Sequence, residues 1–127
     1  MDENAYVIAI AIDVCPARQL QTRNGSSMIQ EVILIGQLLK PIILTMWDQF
    51  VTNESAAIAQ TITTRPIIMA IRLKVVSHNG LFLSTRSSSS FIIDPRIPEA
   101  TALQTWMESK ILKALSSFPL IRNFSSK

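Results

Sequence analysis

The sequence predicts an all-β fold, a five-stranded barrel with a helix between the third and fourth strands and an amphipathic helix at the C-terminal end. Three features predict it. Segments rich in β-branched residues alternate their positions with a period of two. Polar turns carrying Pro, Gly or Asn punctuate them. From Ala100 onward the apolar spacing switches to steps of three and four.

The elements follow in order. Tyr6 to Asp13 reads as the first strand, with Ile8, Ile10 and Ile12 on one face and the small Ala9 and Ala11 on the other. Cys15 to Ser27 reads as a polar loop holding Pro16 and the turn pair Asn24-Gly25. Met28 to Ile35 is the second strand, with Glu31 the one charge inside it, and Gly36 to Leu39 turns the chain into the third, Pro41 to Trp47. Asn53 or Ser55 offers a side-chain oxygen to cap a short helix through Ala56 to Ala59, and Pro66 ends it. Ile67 to Val76 is the fourth strand, Ser77-His78-Asn79-Gly80 a turn, and Leu81 to Thr85 the fifth strand. A serine-rich loop, Arg86 to Ser90, and a short apolar piece, Phe91 to Ile93, follow. Pro98 and Glu99 suit a first helical turn, and Leu103, Trp106, Met107, Ile111, Ala114, Leu115 and Phe118 then form one apolar stripe.

The 127 residues suffice for one domain with a modest core, expected over residues 5–118 with 119–127 as a tail. A hydrophobic fraction of 48% with 17% charged residues is that of a folded chain, not a disordered one. Mean hydropathy is slightly high at +0.30. The apolar run Val7 to Ile12 is nevertheless far too short to span a bilayer, and no membrane partner is expected. The start, Met1-Asp2-Glu3-Asn4, is acidic where a secretion signal would be basic. Cys15 is the only cysteine, which points to a reducing compartment. A net charge of +3 permits a polyanionic partner without requiring one.

Catalysis needs a constellation that the sequence lacks. His78 is the sole histidine, Cys15 has no metal-ligand partner at useful spacing, and neither a phosphate-binding glycine loop nor a nucleophile elbow is present. No enzyme activity, metal or cofactor is expected.

Four fragments, in order and at matching spacing, resemble the central DNA-binding domains of the replication protein A large subunit, especially the second of its tandem pair. Leu44-Thr45-Met46-Trp47-Asp48 stands where that family has a "TLWG"-like strand end. Pro66 to Arg72 corresponds to its "PVLAIK" strand, and Val76-Ser77 with Leu83-Ser84-Thr85 flank the same hairpin. Ser89 to Ala100, followed by Leu103 and Trp106, follows its serine run, apolar pair, "NPDIPEA" and closing helix. The plant-type and transposon-derived copies of the domain look similar. The resemblance covers Gln30 to Ser109 and implies an OB-fold, whose helix likewise follows the third strand.

It also implies a partner, single-stranded DNA, and a nuclear location. OB-folds of this kind, replication protein A included, stack bases on aromatic platforms and track phosphates along a basic groove. Trp47 matches the family's stacking tryptophan, and alternation puts it with Thr45 and Ile43 opposite the apolar face Ile42, Leu44 and Met46. On the fourth strand Ile67, Met69, Ile71, Leu73 and Val75 are expected in the core, with Ala70, Arg72 and Lys74 facing out. Arg72 and Lys74 are the expected phosphate contacts, with Arg86 a weaker addition. Where relatives carry a second aromatic in the hairpin turn, this sequence has Asn79 beside His78, and Phe82 is a substitute if the turn re-aims it. The rival reading is a protein-interaction module that assembles with replication protein A-like subunits or with itself through the C-terminal helix. A third is a decayed copy without activity.

Overall fold

A computed structural model describes residues 5–37, 40–77 and 82–117, of which 111–117 by their backbone alone. The strands are β1 (Ala5–Val14), β2 (Arg18–Thr22), β3 (Gly25–Ile35), β4 (Pro41–Trp47), β5 (Ile67–Val75), β6 (Phe82–Ser84) and β7 (Ser90–Ile93). A π-helical turn, Val51–Ser55, runs into the short helix α1 (Ala56–Gln60), and α2 (Pro98–Ser117) closes the described chain. Five strands close on themselves in the order β1-β3-β4-β6-β5, because β5 pairs back onto β1. All these pairings are antiparallel except β4 with β6. This is the expected five-stranded barrel with its helix after the third barrel strand.

Alternation fills the interior. Val7, Ala9 and Ala11 of β1, Val32 and Leu34 of β3, and Leu44 and Met46 of β4 are buried in one cluster. Ile58 and Val51 plug one end, and Phe50 meets Phe91 with ring centroids 5.7 Å apart. The small alanines of β1 are what let the barrel close over larger residues opposite. The other face of β1 serves a second layer: Ile10 packs with Ile67, Ala100 and Leu103, and Trp106 and Met107 lean on the same cluster. The first half of the α2 stripe therefore lies on the barrel. Leu115 is described by its backbone alone, and Phe118 lies outside the described residues.

Three expectations need correcting. The segment read as a loop over Cys15 to Ser27 is mostly a hairpin, with β2 paired to β3 from Arg18↔Ile29 to Thr22↔Gly25. Its residues are nearly all solvent-exposed, so it carries no apolar alternation to read, and Gly25 with φ +112° makes the turn. The fourth barrel strand changes phase midway. Ala70 and Ile68 are fully buried, whereas Met69 and Ile71 are only half-buried. Arg72 has φ +58°, and the pairing of β1 with β5 slips there, from Val7↔Ala70 to Ala5↔Leu73. This bulge reverses the alternation, so Leu73 still points inward while Arg72 and Lys74 stay exposed. Neither Asn53 nor Ser55 caps the helix. Ser55 is instead buried and donates a hydrogen bond to Gln30 Oε1, whose amide nitrogen donates to the Cys15 carbonyl.

Candidate nucleic-acid interface

Strand register builds the outer face of the sheet row by row, because directly paired residues share a side. The buried row Val32–Leu44–Leu83–Val75 points into the barrel. One step along, Glu31, Thr45, Ser84 and Lys74 form a row across β3, β4, β6 and β5 on the opposite face. On one side of it lie Arg18, Ile29 and Trp47, and on the other Asp13, Ile33, Ile43 and Phe82. Trp47, Thr45, Lys74 and Phe82 are thus brought onto one surface.

Trp47 is fixed there. Its indole N–H donates to Ser84 Oγ at 2.9 Å, and its backbone N–H donates to Thr85 Oγ1 at 3.1 Å. Thr85 N–H in turn donates to the Thr45 carbonyl at 3.0 Å, which carries β4 and β6 on together beyond Ser84. Trp47 is half-buried and lines a shallow cleft of about 160 Å3. Asp48, Gln49, Arg86 and Ser87 also line that cleft. Asp48 has φ +51°, which accounts for the glycine of the family's pattern at this place. Its carboxylate accepts from Met28 N–H of β3 at 3.0 Å, a cross-strand bond that only an acceptor side chain at this position can make.

The cations gather toward β5 and β6. Arg72 and Lys74 are exposed on β5, and Arg86 follows β6. Ser89 Oγ accepts from Arg86 N–H at 2.8 Å and donates to the Arg72 carbonyl at 2.7 Å, so one hydroxyl ties the two arginines' backbones together. The opposite side carries two acids, Asp13 and Glu31, flanking Cys15, with Arg18 of β2 one row beyond Glu31. Burial, then Asp13 and Glu31, push the Cys15 thiol above its ordinary pKa. Among the described residues no group of His, Cys, Asp and Glu is arranged to hold a metal ion. Phe82 is 46% exposed at the far end, about 13 Å from Trp47 along the strand direction. His78 and Asn79 lie outside the described residues.

Three residues of this face, Ser84, Arg18 and Glu31, are not among the contacts expected from the sequence. Ser84 was legible, because alternation from Phe82 puts it outward. Arg18 is hidden when its hairpin is read as a loop. Glu31 stands out only as a charge in a strand, since its cross-strand neighbours are set by register alone.

No protein-family model matches the chain. In sequence it is 28% identical over 106 residues to a replication protein A 70 kDa DNA-binding subunit of Arabidopsis thaliana, covering 82% of this chain and 18% of that protein. It is 26% identical to the equivalent protein of Oryza sativa subsp. japonica, covering 82% and 17%. The chain spans less than a fifth of the length of these relatives. In structure it matches a chain of a replication protein A heterotrimer bound to ssDNA with a TM-score of 0.74 at 23% identity, over 84% of this chain and 24% of that one. The second OB-fold domain of replication protein A from Methanococcus maripaludis matches with a TM-score of 0.51 at 15% identity, over 76% and 88%. The fold is the OB-fold, and the chain is homologous to the OB-fold regions of the large, 70 kDa component of replication protein A.

Proposed function

We propose that this homologue of the replication protein A large subunit is a non-catalytic module that holds single-stranded DNA, without strong sequence preference, across the outer face of β3, β4, β6 and β5. Bases stack on Trp47 and Phe82, Thr45 lies between them, and Arg72, Lys74 and Arg86 meet the phosphates. His78 and Asn79 belong to the rim of the same site by their place in the sequence. The module comprises residues 5–118 and works in nuclear replication, repair or recombination.

The observation that carries this reading is the indole of Trp47, tied edge-on to Ser84 on a sheet face whose next strand bears exposed cations. The relatives' names as DNA-binding proteins, and the ssDNA-bound complex among the matching structures, support it. Stacking tolerates any base, since every base has a π-face. The cations supply a salt-sensitive term that adds affinity without reading sequence. Docking through the C-terminal helix has less to work with, because Ala100, Leu103, Trp106 and Met107 are already engaged by the barrel.

Anisotropy titrations of a labelled oligo-dT at two salt concentrations test the proposal. Trp47→Ala weakens binding about 10- to 100-fold, the worth of one stacked base. Lys74→Gln reduces the slope of log affinity against log salt by about 0.7, the loss of one phosphate contact. Unchanged affinity and slope in Trp47→Ala would place the site elsewhere.

A further inference from the structure

Glu31 is a misfit in a surface meant for a polyanion. It is half-buried and faces outward beside Thr45, and the cation on a flanking strand, Arg18 of β2, stands one row away opposite Ile29. Its neighbours on β4 are Ile43, Thr45 and Trp47, and those along β3 are Ile29 and Ile33. Just past β1, Cys15 N–H donates to the Glu31 carbonyl, and the nearest charge on β1 is Asp13, another acid. Among the described residues no hydrogen bond or ion pair engages the Glu31 carboxylate.

We infer that Glu31 is a base-selecting residue of the groove, accepting hydrogen bonds from the donor edge of a base stacked on Trp47, and that it favours guanine. The inference rests on the single-strand reading of this face. The indole leans from the Trp47 row toward Ser84, so the platform lies over β4 and β6 in the row that ends in Glu31. Ser84 and Glu31 are two strands apart, about 9.6 Å, a gap that a stacked base with one hydrogen bond fills. An ionised carboxylate only accepts. Guanine offers two parallel donors, its ring N–H and its amino group, which match the two oxygens as a fork. Cytosine and adenine offer an amino group alone, and thymine a single ring N–H. A phosphate brought to the same place is repelled, so the carboxylate also turns the bases, not the backbone, toward β3.

The test compares a dT 12-mer, a length within the roughly 4–16 nucleotides an OB-fold covers, with an alternating dT-dG oligonucleotide of equal length, in lithium buffer to avoid guanine quadruplexes. The alternating strand is expected to bind about tenfold more tightly, within the range of one charged hydrogen-bonded pair. Glu31→Gln, which replaces one acceptor oxygen by a donor, brings the ratio close to one. Glu31→Asp keeps the charge but withdraws it by one methylene, and gives an intermediate ratio. If the wild-type protein binds both strands equally, the inference fails and the single-strand reading stands. If Glu31→Gln tightens binding to both strands and preserves their ratio, Glu31 only repels phosphate and the inference fails again. If neither strand binds at all, the reading beneath it has failed.

Discussion

The indole nitrogen of Trp47 and the hydroxyl of Ser84 meet at 2.9 Å across two parallel strands whose sequences lie far apart in the chain. The bond sets the plane of the largest side chain on the groove face. It also explains why Ser84, on an outward row, is only 8% exposed.

Ser84→Ala should free the indole without opening the core. In a Trp106→Phe background, which leaves Trp47 as the only fluorophore of its kind, the mobility of the indole rises in time-resolved anisotropy. Oligonucleotide affinity falls several-fold, and stability falls by about 1 kcal/mol, the net worth of one such bond. Ser84→Thr restores the hydroxyl and should restore the binding. An unaltered anisotropy decay in Ser84→Ala would show that packing alone holds the ring.

Arg72 separates stability from binding. Its φ of +58° is a conformation that glycine adopts without cost and arginine does not. Arg72→Gly should raise stability by about 0.5–1 kcal/mol in urea titration. The same change removes a cation from the groove and lowers the salt slope of DNA binding by about 0.7. A variant that loses both properties would mean that the guanidinium, not the backbone, shapes the bulge.

The relay from Ser55 through Gln30 to the Cys15 carbonyl joins the helix, the barrel and the hairpin. Ser55→Ala leaves Gln30 Oε1 without its donor inside the protein and should cost about 1–3 kcal/mol. Combining it with Gln30→Met should cost less than the sum of the single changes, with a coupling of about 0.5–3 kcal/mol. Strict additivity in the cycle would mean that the two side chains do not depend on each other.

Cys15 should be a slow nucleophile. Burial, Asp13 and Glu31 all favour its neutral thiol, so thiolate forms at a higher pH than in the unfolded chain. Iodoacetamide should alkylate the folded protein more slowly than the urea-unfolded one at pH 8, with the rate profile displaced upward in pH. The sign for stability follows: the protonated thiol favours the fold, so its contribution is present below the unfolded thiol's pKa and is lost as pH rises through the folded one. Glu31→Gln should move the profile partway back.

The period-two runs over Tyr6 to Asp13, Met28 to Ile35 and Pro41 to Trp47 determined where the strands lie, and over Pro41 to Trp47 also which side is core, because one face had to leave water. The same alternation already put Trp47, Thr45 and Lys74 outward. What local pattern could not supply was partnership. The bulge at Arg72, which buries Ala70, comes from closing β5 onto β1. The hairpin over Arg18 to Thr22 is held by backbone pairing with β3 and leaves no apolar trace. The row from Glu31 to Lys74 exists only because four strands, one of them parallel to its neighbour, settle in a single register. Residue type and spacing dictate each strand's own faces, whereas which charges and rings stand side by side depends on hydrogen bonds between segments distant in the chain.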